Sequence, residues 1–324
     1  MSGSGSGGRG RAWAELLRLP ALFTVPGDAL AGAAAVGARP GRGTFLAIGA
    51  SLCLYEAGMA LNDWADRNED ARDRPHRPIP SGRIRPGAAL AAATAFTAAG
   101  IGLASRAGRT PTAVSTALAA TVWAYDLGLK RTPAGPAAMG AARALDVLLG
   151  ASASGDDEAS LNTAPATTTA KRPGSGTGRD GHPAPAGLTA ALPAALALGV
   201  HTAAVTTVSR NETTGGVPAA PAAALAVTAL LTRHLLKLPA GRGAAAPLGL
   251  PGPTAYAVTT ARPLLHALLN PSPPLTQRAV GAGIRAMIPL QAALAARAGA
   301  PGTALATAAL APLARRFAKK VSVT

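Results

Sequence analysis

Residues 61–84 read LNDWADRNEDARDRPHRPIPSGRI, and this stretch decides how the rest of the chain is interpreted. It concentrates acidic side chains in a protein that has only 15 Asp and Glu residues in all. Six arginines lie among them between Arg67 and Arg85. The acidic and amide side chains of this cluster are Asn62, Asp63, Asp66, Asp70 and Asp73. Carboxylates this close repel one another unless a cation lies between them, so the stretch predicts a cation site.

The spacing of the cluster favours a magnesium–diphosphate site. On a helix, the side chains of Asn62, Asp63, Asp66 and Asp70 would share much of one face. Their oxygen atoms suit Mg²⁺, which takes few protein carboxylates and completes its octahedron with water and phosphate oxygens. Planar guanidinium groups such as those of Arg74 and Arg77 can grip the same phosphates in a bidentate manner. The alternative is a solvated loop held by acid–base pairs.

The composition around this stretch favours a membrane protein. Of 324 residues, 48% are hydrophobic and 14% are charged, against roughly 25% charged in ordinary soluble domains. The net charge of +16 raises the question of a nucleic-acid partner. The basic residues lie between apolar segments and only 3% of residues are aromatic, so we expect no nucleic acid and assign the charge to cytoplasmic loops. Cys53 is the single cysteine, which excludes a disulfide framework within the chain.

The apolar segments predict an all-α membrane protein. A spanning helix needs roughly 20 mostly apolar residues, and the alternative is a buried soluble helical core. A tenth segment, 301–314, crosses, re-enters or lies on the surface. The nine predicted spans are 13–37, 43–64, 87–105, 111–129, 134–153, 187–208, 217–238, 244–268 and 277–298.

The remaining segments divide the chain into a leader, one membrane domain and a tail. We expect a disordered leader at 1–12, a helical membrane domain at 13–314 and a basic tail at 315–324. Residues 154–186 are polar and rich in Gly, Pro, Ser and Thr, which predicts a flexible loop on the outer face. The arginines near the N-terminus and in the 65–86 loop place both in the cytoplasm, in a multi-pass plasma-membrane protein.

At residues 61–84 the chain resembles the UbiA superfamily of intramembrane prenyltransferases. Residues 62–70 match that family's N-D-x-x-D-x-x-x-D motif, and residues 77–84 match its R-P-x-x-S-G-x-I stretch. The resemblance implies nine helices around a central cavity and Mg²⁺-dependent transfer of a prenyl group from its diphosphate. It implies Mg²⁺ ligands and catalytic roles at Asp63 and Asp66 and a further ligand at Asp70. The substrate contacts it implies in this region are Asn62, Arg74, Arg77 and Ser81.

A second match lies at the end of the predicted fourth helix, where the family has a tyrosine followed by a lysine. Here these are Tyr125 and Lys130, with Arg131 next to the lysine. We expect Lys130 and Arg131 to hold the diphosphate; an ordinary membrane anchor is the alternative for Lys130. The ring face of Tyr125 would stabilise an allylic cation. These expectations add Tyr125 and Lys130 to the catalytic candidates.

Intramembrane charges outside these motifs are functional candidates by default. Asp126 and Asp146 are the predicted buried acids. For Asp146, an ion pair with Arg143 one turn earlier is the structural alternative. Further along the chain, we expect Arg262, His266 and Arg285 to face the cavity, because charged side chains avoid lipid.

The chain departs from the family in its second acidic motif, at residues 209–216. Glu212 stands there as a single carboxylate where the family has several. We expect Glu212 to bind a second Mg²⁺ and Arg210 to contact phosphate; otherwise the site holds one metal or runs an altered reaction. Such departures resemble a subgroup of the superfamily linked to secondary metabolism.

Three functional hypotheses follow. The first is transfer of a prenyl group to a small aromatic or lipophilic acceptor in the bilayer. The second is a terpene cyclase of the same superfamily, in which the substrate's own double bond traps the cation. The third is a non-catalytic binder or transporter of a lipid diphosphate or hydrophobic metabolite, which the reduced second motif favours.

Overall fold

The computed structural model describes residues 5–162, 187–215, 217–237 and 251–321, and in these ranges every regular element is helical. Short 3₁₀ turns cover Leu19–Thr24, Leu129–Arg131 and Leu188–Ala191. The α-helices are α1 (Gly5–Leu16), α2 (Pro26–Ala35), α3 (Arg42–Ala65), α4 (Arg67–Asp73), α5 (Pro86–Ser105), α6 (Arg109–Leu127), α7 (Gly135–Asn162), α8 (Leu192–Ser209), α9 (Ala219–Lys237), α10 (Pro251–Leu269), α11 (Pro273–Arg297) and α12 (Pro301–Val321).

The predicted fold class is confirmed, although the number of nine spans stays a prediction. Among the described residues, five helices are both long and apolar enough to cross a membrane: Arg42–Ala65, Pro86–Ser105, Leu188–Ser209, Ala219–Lys237 and Pro273–Arg297. Leu22–Ala35 and Pro301–Ala314 are shorter apolar helices. An all-helical chain with several such segments satisfies its backbone hydrogen bonds within each helix, as the bilayer interior requires.

The first predicted span, 13–37, is wrong as a single helix. α1 ends at Leu16, and α2 begins only at Pro26 after a 3₁₀ turn. Proline lacks the backbone N–H that continues a helix, and Pro26 fits only the start of one. Arg18 has a φ of 47°, which turns the chain between the two helices. The predicted disordered leader at 1–12 is also wrong from Gly5 onward, because α1 begins there; residues 1–4 lie outside the described ranges.

Other boundaries move as well. The predicted flexible loop at 154–186 is helical as far as Asn162, because no proline interrupts α7 before that residue. Residues 163–186 lie outside the described ranges, as do 244–250 of the eighth predicted span. The predicted tail from 315 continues α12 to Val321, and 322–324 are not described.

The helices form two groups, which meet where α7 packs directly on α8 and which α2 also joins. In the first group α3 packs on α5 and α7, and α6 packs on α7; in the second, α8, α9, α10 and α11 pack in order, and α11 returns to α8. α2 packs against both α7 and α11. Small residues permit this closeness. A methyl group added at Gly150 of α7 would overlap the backbone of Ala29 on α2.

The loops that carry the sequence motifs meet at one end of the bundle, called here the motif end. Arg131 reaches Asp66 at 3.2 Å. Arg210 Nη1 donates to the carbonyl of Thr132 at 2.7 Å, and Gln277 Nε2 donates to the carbonyl of Glu212 at 3.5 Å. The loops near 66, 131, 212 and 277 therefore lie on the same side, as the sequence predicted. That this side is cytoplasmic stays a prediction.

Candidate functional site

The acidic motif does not lie on one continuous helix, in contrast to the single face expected from its spacing. α3 ends at Ala65, and Asp66, with φ −89° and ψ 1°, separates it from α4. Asn62 and Asp63 therefore belong to α3 and Asp70 to α4. The break sorts the side chains into two groups: Asp63 and Asp70 meet Arg77, whereas Asn62 and Asp66 meet Lys130.

The first group is built around the guanidinium of Arg77. Its Nη1 atom lies 2.8 Å from Asp70 Oδ2 and 3.5 Å from Asp63 Oδ1. Both carboxylates are buried. Arg18 Nη2 also approaches Asp63 Oδ1, at 3.1 Å, and Arg74 Nη1 lies 3.8 Å from Asp70 Oδ1. The loop that follows α4 therefore brings Arg74 and Arg77 back to the carboxylates of Asp63 and Asp70.

Arg18 is a site residue that sequence reasoning missed, because it was interpreted only as part of the positive N-terminal anchor. Its left-handed backbone conformation is unusual for a residue with a side chain and marks a position that the surrounding structure enforces. Nothing local indicates its partner, since Asp63 is 45 residues away in sequence.

The second group is built around the ammonium of Lys130. Its Nζ atom lies 2.7 Å from Asp66 Oδ1, 3.2 Å from Asn62 Oδ1 and 3.8 Å from Asp126 Oδ1. Only 11% of the Lys130 side chain is exposed, unlike a solvated anchor. Arg131 adds contacts to Asp66 at 3.2 Å and to Glu69 at 3.3 Å from the exposed side. The lysine therefore lies inside the acid cluster.

The reduced second motif lies beside the same cluster. The pKa of the Glu212 carboxyl is raised above its ordinary value by burial, and the nearby charge of Arg74 offsets only part of this rise. Arg210 is exposed and is held by the carbonyl of Thr132, next to Arg131. Glu212 and Arg210 thus lie close to residues of the first motif, as expected for two halves of one site.

Ser81 differs from the other predicted substrate contacts, because its hydrogen bonds stay within its own loop. Its hydroxyl donates to the carbonyl of Arg77 at 2.7 Å and accepts from Arg83 Nε at 3.0 Å. Arg83 in turn holds Glu15 of α1 at 2.6 Å. The hydrogen bond from Arg83 lowers the pKa of the Glu15 carboxyl. Ser81 and Arg83 therefore fix the loop that carries Arg77 and tie it to α1.

A cavity of about 260 Å³ opens from the motif into the first helix group. Arg18, Asn62, Tyr125 and Asp126 line its mouth, so Tyr125 stands where the sequence placed it, beside the cavity. The middle of the wall is apolar. Its side chains include Leu54, Met59, Leu118, Val122 and Met139.

The inner end of this cavity is polar, and its ion pair differs from the one considered from sequence. Arg143 pairs with Asp28 of α2, and Ser51 donates to Asp146. The Arg143–Asp146 pair, which was the structural alternative for Asp146, is therefore replaced by a pair between α2 and α7. Gln291 of α11 donates to Asp28 Oδ1 at 2.9 Å. Asp28 was missed because its partner lies 115 residues away.

The expectation that Arg262, His266 and Arg285 face the cavity is wrong for this cavity. None of the three lines it, and their side chains are exposed on α10 and α11. The periodicity of a sequence shows which residues share a helix face. It does not show which neighbouring helix or cavity that face contacts.

The aspartates of the first motif are arranged in a way that suits a divalent cation, although Asp63, Asp66 and Asp70 each now pair with a basic group. Within the described ranges, no three His, Cys, Asp or Glu side chains converge as a preformed metal group. Asp63 and Asp70 nevertheless share one cationic group, the Arg77 guanidinium, so both can face one positive charge. All candidate donors are oxygens, which suits Mg²⁺.

These features define the class of the protein: an all-helical membrane protein whose acidic and basic side chains surround the mouth of an apolar cavity. The chain belongs to the UbiA prenyltransferase family, whose model matches residues 21–269. Its helices and its family make it a multi-pass membrane protein.

Relatives in archaea share parts of the sequence. The digeranylgeranylglyceryl phosphate synthase of Methanopyrus kandleri is 36% identical over 128 residues, 38% of this chain and 45% of that protein. The enzyme of the same name from Korarchaeum cryptofilum is 42% identical over 76 residues, 24% of this chain and 27% of that protein. The matches thus span less than half the length of these relatives.

Solved structures share the fold. A UbiA homologue from Aeropyrum pernix K1, described as an apo structure, superposes with a TM-score of 0.60 at 20% identity, covering 82% of this chain and 94% of that one. A UbiA homologue from Archaeoglobus fulgidus, described as bound to GPP and Mg²⁺, gives a TM-score of 0.54 at 14% identity, covering 92% and 99%.

Proposed function

We propose that this protein transfers a prenyl group from a prenyl diphosphate to a lipophilic acceptor within the membrane, with Mg²⁺ as its cofactor. The observation that carries the proposal is the position of Asp63, Asp70 and Arg77 as one charged group at the mouth of an apolar cavity. A prenyl diphosphate has the complementary form, with a highly charged head and an apolar tail.

In this proposal the two groups at the mouth bind the head. Asp63, Asp66 and Asp70 hold Mg²⁺, with Glu212 as the candidate ligand for a second ion. Arg77, Lys130, Arg131 and Arg210 turn from their present partners to the diphosphate oxygens, where guanidinium forks bind in a bidentate manner. The bound Mg²⁺ would neutralise charge that develops on the leaving diphosphate.

The reaction then breaks the bond between the allylic carbon and the diphosphate oxygen, and the electron pair leaves with the diphosphate. A nucleophilic atom of the acceptor bonds to the allylic carbon and loses a proton. Lys130 and Arg77 stabilise the departing negative charge. The ring of Tyr125 is placed to face the positive carbon, and the apolar wall keeps water from competing as the nucleophile.

The relatives favour one class of acceptor. Their name describes a glyceryl phosphate that carries two geranylgeranyl groups, and such a product requires a hydroxyl of a glycerophosphate-type lipid as the acceptor. We propose this class first and an aromatic acceptor second. The exposed Arg74 near the mouth supplies positive charge for an acceptor phosphate.

Two alternatives, a lipid diphosphate carrier and a terpene cyclase, are favoured by one observation. The second motif offers a single carboxylate, Glu212, and the described acids form no preformed metal group. A protein that binds a lipid diphosphate without breaking it, or one that cyclises the chain, would tolerate this reduction.

Incubation of the purified protein in nanodiscs with radiolabelled geranyl diphosphate and Mg²⁺ separates these functions. An adduct with an added glycerophosphate lipid or aromatic acceptor, together with released pyrophosphate, supports transfer. Release with a hydrocarbon or alcohol product indicates cyclisation, and binding without release indicates a carrier. Asp63→Asn should abolish turnover, whereas Asp73→Asn, at an exposed position of α4, should not. Equal turnover in both variants would refute the site.

A further inference from the structure

The inner end of the cavity is built from charged and hydrogen-bonded side chains, and these form what we call the polar floor: Ser51, Arg143 and Asp146. Ser51 donates to Asp146, and Arg143 pairs with Asp28. All three floor residues line the same cavity as the motif residue Asn62. One cavity therefore begins at the proposed diphosphate site and ends at charged groups.

Buried side chains of α2 and α11 lie directly behind the polar floor. Asp28 is completely buried, and Gln291, also completely buried, donates to Asp28 Oδ1 at 2.9 Å and to the carbonyl of Thr24 at 2.8 Å. The helices α2 and α11 thus seal the space beyond Arg143. A chain that enters from the motif end and runs along α3 meets the floor at Ser51 and Asp146.

The depth of the cavity follows from helix geometry. Ser51 and Asn62 lie on the same helix, α3, eleven positions apart, which corresponds to about 16 Å at a rise of 1.5 Å per residue. On α7 the lining residues Met139 and Asp146 lie seven positions apart, so they mark only about 10 Å of this depth. The wall between these ends is apolar and suits an isoprenoid tail.

A prenyl tail can be measured against this depth. An extended chain advances roughly 1.2 Å per bond, as follows from roughly 3.5 Å for the three backbone bonds of a residue. An isoprene unit adds four bonds and therefore roughly 5 Å. Three units match the distance from mouth to floor. A fourth unit would press its alkyl end against Asp146 and Arg143, where it excludes water and offers no hydrogen bond.

We propose that the polar floor sets the length of the prenyl donor at no more than three isoprene units. The inference rests on the proposed function, since it concerns the donor of that same site. It distinguishes this chain from the donor class contained in the name of its archaeal relatives, which specifies the four-unit geranylgeranyl group. Ser51, Arg143 and Asp146 act as specificity residues in this proposal.

The test uses four donors with the full-length protein in nanodiscs: dimethylallyl, geranyl, farnesyl and geranylgeranyl diphosphate. Isothermal titration in the presence of Mg²⁺ measures the affinity for each. We expect geranylgeranyl diphosphate to bind about tenfold or more weakly than farnesyl diphosphate, because a pocket with no room for added carbons discriminates by at least this factor.

Two variants should shift the limit in opposite directions. Ser51→Ala combined with Asp146→Ala enlarges and neutralises the floor, and should bring geranylgeranyl diphosphate to within about threefold of farnesyl diphosphate. Val122→Phe narrows the middle of the wall, and should weaken farnesyl more than geranyl diphosphate. The matched controls are Ser105→Ala and Val258→Phe, because both residues are exposed outside the cavity.

The outcomes separate the inference from the proposed function. Equal affinity of the wild type for farnesyl and geranylgeranyl diphosphate would overturn the length limit and leave prenyl binding intact. Unchanged donor order in Val122→Phe would overturn it as well, even if the floor variant does not fold. Failure of all four donors to bind in a Mg²⁺-dependent manner would refute the proposed function and the inference with it.

Discussion

Arg77 Nη1 lies 2.8 Å from Asp70 Oδ2, and this contact connects the two sequence motifs of the site. Asp70 ends the acidic motif, whereas Arg77 begins the R-P-x-x-S-G stretch seven residues later. The same guanidinium also reaches Asp63 on the preceding helix. The arginine therefore holds the position that a cation must take between these two carboxylates, and phosphate binding must compete with this pairing.

Replacement of Arg77 tests this relationship. Arg77→Ala should lower the rate of pyrophosphate release about a hundredfold, the usual effect of removing one preorganised donor. Arg77→Lys should fall between it and the wild type, because an ammonium keeps the charge without the planar fork. Arg72→Ala, at an exposed position of α4, is the matched control. If Arg77→Ala and Arg72→Ala released pyrophosphate equally fast, the role of Arg77 would be excluded.

The buried pair of Arg143 and Asp28 should matter for stability. Arg143→Met would leave Asp28 as a completely buried acid without its guanidinium. Breaking such a pair on one side typically lowers the free energy of unfolding by about 3–5 kcal/mol. Denaturant unfolding in detergent micelles measures the change. Arg106→Met, exposed at the end of α5, should leave the unfolding free energy nearly unchanged; an equal loss in both variants would contradict the prediction.

The contact between α2 and α7 depends on Gly150. A methyl group at this position would overlap Ala29 on the facing backbone, so Gly150→Ala should destabilise the protein by about 1–3 kcal/mol or more through overpacking. Gly102→Ala is the matched control, since its added methyl group meets nothing within 4 Å. Helix propensity should make that control neutral or slightly stabilising. Melting temperatures of both variants in the same detergent decide the point.

The Glu15–Arg83 pair predicts a small pH dependence of stability. The hydrogen bond from Arg83 lowers the pKa of Glu15 below its ordinary value of 4.5 in the folded protein. The charged carboxylate therefore stabilises the fold above that ordinary value, and the contribution is lost as the pH falls through the lowered pKa. Both side chains are about two-fifths exposed, so we expect less than about 1 kcal/mol.

Thermal unfolding between neutral pH and about pH 3 checks this contribution, because the range must extend below the lowered pKa. The wild type should lose more stability on acidification than Glu15→Gln does. Arg83→Gln should have the same effect as Glu15→Gln, and the double variant should add nothing further. Parallel pH profiles of the wild type and all three variants would show that the pair has no influence.

Residues 61–84 show what local sequence can predict. Asp63, Asp66 and Asp70 were recognised as a group because their spacing is a property of a short segment, and the structure does bring them to one end of the bundle. Their pairing was not predictable. The helix break at Asp66 sends its carboxylate to Lys130 and sends Asp70 to Arg77. A cluster that looked like a single helix face is therefore two groups.

The boundaries that were predicted wrongly have a related cause. Composition separates apolar from polar residues, and it was right for most helices. It failed where a polar segment stays helical, as at 154–162, and where prolines divide an apolar one, as at 13–37. Polarity shows whether a segment can be buried in lipid, whereas helix formation also depends on which residues interrupt the backbone hydrogen bonds.

The sequence by itself determined the helical membrane class, the motif and the family, because apolar length, charge and spacing act within a few turns of the chain. Only the tertiary structure decided that Arg18 faces Asp63, that Arg143 faces Asp28, and that the cavity ends in a polar floor. The partners in these two pairs lie 45 and 115 residues apart. Their meeting is set by how closely the small-residue faces of the helices pack, which no single segment encodes.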